Sequence, residues 1–165
     1  MPASNRSRVW LRVDARAQRL SLCCDDDVLE TWPVSTGRNG LGEINGSGCT
    51  PRGWHVVRAR VGDGLPAETV FVGRRDTGER YSRALAAAYP QRDWILARIL
   101  WLSGLEHGRN RLGARDTMRR YIYIHGAPPE SPIGQPVSHG CIRMRPDDVI
   151  ELFGRTPVGT RVLIE

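Results

Sequence analysis

Alternating apolar and polar positions dominate the first third of the chain. Val9, Leu11 and Val13 are apolar and alternate with Arg8, Arg12 and Asp14, which is typical of a half-buried strand. The same period of two returns from Leu20 to Cys24. The acidic run Asp25–Asp27 predicts a turn, and a third strand follows over Val28–Val34. The pattern therefore predicts two consecutive hairpins in an antiparallel sheet.

Four further strands are predicted later in the chain. They are Trp54–Val61, Val70–Val72, Tyr121–Ile124 and Arg161–Ile164, each short and rich in apolar or β-branched residues. The stretch 37–48 before them holds five glycines and is predicted to be a loop. It lacks the Gly-Lys-Ser/Thr ending of a phosphate-binding loop, so a nucleotide site is not indicated.

Helices are predicted at three places. Pro90 precedes apolar residues spaced at i, i+4 and i+7, which predicts an amphipathic helix over 91–103. A short helix is predicted within Tyr81–Tyr89, and Pro146 with two following aspartates predicts a third helix start. The polar segment Glu106–Thr117 is predicted to be a loop. The sum is a mainly β domain with a few helices.

Composition limits the classes of function. At 165 residues the chain is most simply one domain, 1–165. Its formal net charge of +6 is carried by arginine, and the absence of lysine excludes Schiff-base chemistry on a lysine side chain. The arginines are dispersed, so the sequence predicts no nucleic-acid partner, although a basic surface suits an anionic one. No apolar stretch is long enough to span a membrane, and the four cysteines do not form a secreted disulfide framework.

Chemistry is concentrated between Tyr121 and Arg143. A predicted strand ends at His125, a turn-rich connection follows, and Ser-His-Gly-Cys then places His139 two residues before Cys141. A cysteine attacks carbonyl carbon as its thiolate, and a neighbouring imidazole can accept the proton. The amides of Gly140 and Cys141 are candidate donors to an oxyanion, and Arg143 is a candidate to bind a substrate carboxylate.

Alternatives to this chemistry remain open at this point. His125, His139 and Cys141 would also suit zinc, although no fourth ligand is evident. Cys23, Cys24 and Cys49 are interpreted as inert thiols. Of the other two histidines, His55 falls on a strand pattern and His107 in a polar loop, so a structural or solvated role is favoured for both.

The motif as a whole resembles the L,D-transpeptidase catalytic-domain family of bacterial cell-wall enzymes. The resemblance rests on His125-Gly126 and on the run from Ile133 to Met144 that contains Ser-His-Gly-Cys-Ile-Arg. Ser35-Thr-Gly37 and Thr50-Pro-x-Gly53 resemble the first half of that family, and Pro157 to Val162 resembles its end. Residues 62–120 show little resemblance and are interpreted as a subfamily insertion or lid.

The resemblance implies a β-sandwich-like mixed-sheet fold and a role for each matching residue. Cys141 would be the nucleophile, and His125 the general base, with its second ring nitrogen bound to the Gly126 carbonyl. His139 would lie beside the oxyanion site, and Arg143 would meet a substrate carboxylate. The complete set of implied site residues is catalytic Cys141, His125 and His139, backbone residues Gly126, Gly140 and Ser138, and substrate-binding Arg143, with no metal and no cofactor.

The resemblance also implies a reaction. The thiol would attack the third residue of a peptidoglycan stem peptide or muropeptide, expel D-alanine and form a thioester, which an amine would resolve into a 3→3 cross-link. Water as acceptor would make the same site an L,D-carboxypeptidase, and a non-catalytic peptidoglycan-binding module is the remaining alternative. The resemblance implies action in the periplasm or cell envelope, and a monomer is expected. Met1–Arg8 lacks a signal-peptide pattern, so the cytoplasm is the alternative expectation.

Overall fold

Strands make up most of the regular structure in residues 8–165, the part of the chain that this computed structural model describes. In chain order they are β1 Val9–Asp14, β2 Arg19–Cys24, β3 Asp27–Pro33, β4 Gly53–Val61, β5 Thr69–Val72, β6 Arg75–Arg80, β7 Ile95–Gly104, β8 Tyr123–Gly126, β9 Ile142–Met144 and β10 Arg161–Ile164. Two helices, α1 Arg83–Ala88 and α2 Pro146–Phe153, accompany them. The expectation about a signal peptide rests on Met1–Arg8, and residues 1–7 of that segment lie outside the described residues.

All ten strands join one mixed sheet. Its order is β3-β2-β1-β10-β4-β7-β5-β6, and β8 pairs with both β7 and β9. The β1–β10 and β8–β9 pairs are parallel, whereas the other pairs are antiparallel. The predicted mainly β, mixed-sheet class is therefore confirmed for the described residues.

The predicted hairpins and the last helix are also confirmed. Leu11, Val13 and Leu20 are fully buried, so the apolar positions of β1 and β2 face the core as their alternation requires. Helix α2 begins at Pro146 and carries two aspartates in its first turn, where carboxylates complement the helix dipole. Its apolar face, which includes Leu152, packs in the large core on one side of the sheet.

The predicted helix over 91–103 is wrong, because Ile95–Gly104 forms strand β7. This strand pairs with β4, β5 and β8, and every residue from Leu96 to Leu100 is buried. A strand buried on both faces shows no alternation and cannot be distinguished from a buried helix by periodicity. A register shift between Leu96 and Ile99, where Ala97 has a φ of +69°, further disturbs the period of two.

Much of the 62–120 segment belongs to the sheet, to which it contributes β5, β6 and β7. The short helix predicted within Tyr81–Tyr89 is confirmed as α1, and the Ser82 hydroxyl caps it by accepting from the Leu85 amide at 3.0 Å. Glu106–Thr117 is a loop with one 3-10 turn. Neither helix in the described part of the chain has the length and apolar character needed to cross a membrane.

Different hydrophobic clusters pack on the two faces of β7 and β8, and the candidate site lies on the face with the smaller cluster. Ile124 lies in the large core together with residues of α2. Tyr123 lies in a smaller cluster with Phe71 and Ile99, against which Cys141 packs. Because neighbouring residues of a strand point to opposite faces, His125 shares the face of Tyr123.

Buried His55 should make the free energy of unfolding depend on pH. It is buried on β4, with Nδ1 3.0 Å from the Gly53 carbonyl and Nε2 2.9 Å from the Thr117 hydroxyl. Burial lowers the pKa of His55 from 6.5 to about 4. Since the unfolded chain binds this proton below pH 6.5 and the folded chain does not, the free energy of unfolding should fall by about 3 kcal/mol between pH 6.5 and pH 4.

Urea unfolding of the wild type and His55→Gln across that pH range measures this contribution. We expect the variant to be less stable at pH 7 and to lose the part of the pH dependence that His55 supplies. His107→Gln, a change in an exposed loop residue, is the control and should follow the wild type. An equal pH dependence in His55→Gln and the wild type would contradict the prediction.

Candidate active site

The parallel pairing of β8 and β9 brings the two halves of the reactive motif together. His125 is the register partner of Arg143, and Ile124 is the partner of Ile142. Cys141 immediately precedes β9 and therefore lies beside Tyr123. Residues separated by a long turn-rich connection in the sequence thus become neighbours across two adjacent strands.

The Cys141 thiol is held by backbone groups of the chain that leads into β8. Its Sγ donates to the Tyr121 carbonyl at 3.4 Å and accepts from the Tyr123 N–H at 3.3 Å. Tyr121 has a φ of +55°, a conformation that costs a non-glycine residue about 1–3 kcal/mol. The rest of the fold therefore stabilises a strained backbone at the point that contacts the sulfur.

Burial raises the pKa of the Cys141 thiol to about 11. The negative charge of Asp93 adds to this effect, whereas the Tyr123 N–H and the charges of Arg143 and Arg120 oppose it. With such a pKa, roughly one thiol in ten thousand is ionised at pH 7. The sulfur is therefore a neutral thiol at rest and needs a base to become a nucleophile.

His125 has the properties of that base. The imidazole is 1% exposed, and its Nδ1 lies 2.7 Å from the Gly126 carbonyl oxygen, the contact that the family resemblance implies. Because a carbonyl only accepts, Nδ1 carries the ring proton and Nε2 keeps its lone pair. Burial lowers the pKa of His125, with the Gly126 carbonyl opposing the shift, so the neutral ring persists at neutral pH.

A network of hydroxyl and backbone groups fixes the turn before Cys141. The Ser138 hydroxyl donates to the Cys141 carbonyl at 2.6 Å and accepts from the Gly140 N–H at 3.1 Å. The Thr50 hydroxyl donates to the Gly140 carbonyl at 2.9 Å and accepts from the Gly37 N–H at 2.8 Å. The Ser-Thr-Gly and Thr-Pro-x-Gly stretches of the first half thus support the cysteine turn of the second half.

Gly140 is the position in this turn that should tolerate a side chain least. Its φ is +122°, and a Cβ would lie 3.0 Å from the Cys49 carbonyl oxygen and 3.3 Å from Ile122 Cδ1. We expect Gly140→Ala to lower the free energy of unfolding by roughly 1–3 kcal/mol and to reduce acylation of Cys141. Urea unfolding and intact-mass spectrometry with a carbapenem measure the two effects.

Gly134→Ala is the matched control for this change. Gly134 also has a positive φ, +102°, but a Cβ there would meet nothing within 4 Å. The control should therefore show backbone strain without the steric contact and without loss of acylation. Equal acylation in Gly140→Ala and the wild type would show that the turn is not required.

The two amides assigned to the oxyanion differ in the structure. The Gly140 N–H is already donated to Ser138 Oγ at 3.1 Å. The Cys141 N–H has no acceptor among the described residues. An oxyanion formed on the carbonyl that Cys141 attacks would therefore meet the Cys141 amide as its free backbone donor.

Arg143 and His139 both face a residue that sequence reasoning missed. Arg143 Nη2 donates to Asp93 Oδ1 at 3.1 Å, and His139 Nδ1 lies 3.8 Å from Asp93 Oδ2. These three side chains line a cavity of about 270 Å³. Arg143 is thus paired within the chain, and its assignment to a substrate carboxylate stays a prediction. His139 is largely exposed, and its predicted catalytic role likewise stays a prediction.

Two arginines also approach the site without having been predicted. Arg120 donates to the Cys49 carbonyl at 2.6 Å and the Gly42 carbonyl at 3.2 Å, which fixes the glycine-rich loop. Arg74 Nη1 donates to the Tyr123 hydroxyl at 3.0 Å. No sequence signal marks either residue or Asp93, because all three reach the site through tertiary packing. Among the described residues, no group of three or more His, Cys, Asp or Glu side chains is placed to bind a metal.

Comparisons with protein families and with individual known proteins point to the same family. A family model described as the L,D-transpeptidase catalytic domain, YkuD, matches residues 8–164. The probable L,D-transpeptidase ErfK/SrfK of Salmonella typhimurium is 31% identical over 144 residues, which cover 84% of this chain and 38% of that protein.

Solved structures with the same fold include two mycobacterial proteins. An L,D-transpeptidase from Mycobacterium smegmatis has a TM-score of 0.56 at 22% identity, covering 96% of this chain and 58% of that one. L,D-transpeptidase 3 from Mycobacterium tuberculosis, in complex with a faropenem-derived adduct, has a TM-score of 0.58 at 17% identity, covering 96% and 60%. This chain therefore spans less than two thirds of each of these relatives.

Proposed function

The chain belongs to the YkuD family of L,D-transpeptidase catalytic domains, and we propose that it is a cysteine acyltransferase acting on peptidoglycan stem peptides. One observation carries the proposal. The Cys141 sulfur lies between the Tyr121 carbonyl and the Tyr123 amide, next to the strand that holds the neutral base His125. This arrangement supports nucleophilic attack by sulfur on an acyl carbon.

The first half of the proposed reaction is acylation. His125 Nε2 accepts the thiol proton while Cys141 Sγ attacks the carbonyl carbon of the third stem residue. The Cys141 N–H stabilises the resulting oxyanion. When the tetrahedral intermediate collapses, the carbon–nitrogen bond breaks, His125 returns the proton to the departing amine, and D-alanine leaves. The product is a thioester on Cys141.

The second half transfers the acyl group. The side-chain amine of an acceptor stem attacks the thioester carbon, and His125 accepts a proton from that amine. Collapse of the second intermediate breaks the carbon–sulfur bond and returns the proton to sulfur. The product is an amide between the third residues of two stems, a 3→3 cross-link. Attack by water would instead release a tripeptide.

Product analysis tests the proposal. The purified protein is incubated with a muropeptide that carries a tetrapeptide stem, and D-alanine and peptide products are measured by mass spectrometry. We expect D-alanine release with a cross-linked dimer. Free tripeptide as the sole product would replace the transferase with a carboxypeptidase, and no turnover with no carbapenem adduct on Cys141 would favour a binding module.

We further propose that the protein acts in the cell envelope. Cross-linked peptidoglycan lies outside the cytoplasm, so a transferase that makes such cross-links must meet its acceptor there. Fractionation of the native protein tests this location. Recovery in the cytoplasm alone would contradict it and would point to a soluble precursor or recycled muropeptide as the substrate.

A further inference from the structure

Arg74 lies at the turn between β5 and β6 and extends over the aromatic residues of the site. Its guanidinium carbon is 4.6 Å from the centre of the Trp101 ring and 5.2 Å from the centre of the Tyr121 ring. Its Nη1 donates to the Tyr123 hydroxyl at 3.0 Å. Three aromatic side chains therefore hold the guanidinium in one place.

Two of these aromatic residues contact the nucleophile directly. The Tyr121 carbonyl accepts from Cys141 Sγ, and the Tyr123 N–H donates to the same sulfur. Arg74 is thus connected to the reacting atom through the length of a single tyrosine side chain. Because Cys141 packs against the cluster that contains Tyr123, the guanidinium and the sulfur lie on the same side of β8.

The charge of Arg74 is available to a ligand. Among residues 8–165, no carboxylate lies within ion-pairing distance of Arg74. One of its five N–H donors is used, by the Tyr123 hydroxyl, and that contact raises the pKa of Arg74. The other two arginines near the site already have partners: Arg143 donates to Asp93, and Arg120 donates to backbone carbonyls.

We propose that Arg74 is the specificity-determining residue that binds a carboxylate of the donor stem peptide, an inference that rests on the proposed acyl transfer. Stacking on Trp101 and Tyr121 occupies the face of the guanidinium and leaves its edge for the bidentate contact that arginine makes with carboxylates. A donor stem has two carboxylates near the scissile bond. One is the C-terminus of D-alanine, and the other belongs to the side chain of a dicarboxylic diamino acid at the third position.

Three donors separate these two sources. The first is a tetrapeptide with both carboxylates, the second has its D-alanine C-terminus amidated, and the third has lysine in place of the dicarboxylic diamino acid. The ratio of kcat/KM for the first donor to that for each of the others measures how strongly each carboxylate is recognised. We expect Arg74→Gln to reduce one of these two ratios by roughly 10- to 100-fold, mainly through KM. The ratio that falls identifies the carboxylate.

Two variants control for a merely structural role. Arg74→Lys keeps the charge but loses the bidentate edge, so its ratio should lie between those of the wild type and Arg74→Gln. Arg75→Gln removes the neighbouring, exposed arginine and should leave both ratios unchanged. An equal loss on all three donors in Arg74→Gln, or no loss on any, would overturn the proposal. Failure of the wild type to release D-alanine would instead overturn the proposed function.

Discussion

Cys141→Ala is expected to abolish D-alanine release from a tetrapeptide stem, with a loss of at least about 1000-fold. In the proposed mechanism the sulfur is the atom that forms the thioester, and no other thiol among the described residues is held between the same two backbone groups. The same variant should show no mass increase with a carbapenem. Alanine fits the site without new contacts, so its fold should be retained.

Cys24→Ala is the matched control for the loss of a thiol. Cys24 is also free and partly buried, but it lies at the end of β2. It should keep wild-type turnover and remain able to form the carbapenem adduct. Unchanged D-alanine release in Cys141→Ala would exclude the proposed nucleophile, and urea unfolding of both variants would show whether either change affects the fold.

His125→Gln is expected to reduce acylation at neutral pH by roughly 100- to 10,000-fold. Because burial raises the pKa of the Cys141 thiol to about 11, almost no thiolate exists at pH 7 without a base. Glutamine keeps a polar side chain of similar length but cannot accept the proton. Pre-steady-state acylation by a carbapenem measures the effect, and His107→Gln serves as the control histidine variant.

The pH profile distinguishes loss of a base from loss of structure. In the wild type, acylation should fall at acid pH as His125 becomes protonated, and the lowered pKa of His125 places this fall below 6.5. In His125→Gln, attack depends on direct ionisation of the thiol. Its rate should therefore rise about tenfold per pH unit toward the thiol pKa of about 11. A variant with the wild-type profile would show that another group is the base.

Sequence patterns predict the strands and helices that bury only one face, because their apolar residues recur at a regular spacing. β1, β2 and α2 were predicted because their apolar positions recur at the period of their own structure. β7 was predicted as a helix because burial on both faces and the irregularity at Ala97 remove the period of two. β6 was not predicted, since Arg75–Arg80 is almost entirely exposed and contains no apolar alternation.

The residues of the candidate site also fall into a predicted group and a group that sequence patterns do not reveal. Cys141 and His125 were predicted because a dense motif in one stretch of chain carries them. Asp93 and Arg74 were not predicted, because each comes from a loop or turn with no local pattern and meets the motif only after the sheet forms. The sequence motif can therefore predict candidate reacting groups, whereas the charged residues around them depend on tertiary packing.

The central position of β10 has a consequence for the order in which the protein folds. β10 lies between β1 and β4, so the strands made before it form two groups with open edges. The site needs both groups, since Ser35 after β3 and Arg143 in β9 exchange backbone hydrogen bonds of 2.9 Å in each direction. We therefore expect the complete sheet, and with it the candidate site, to form only after residues 161–164 have been synthesised.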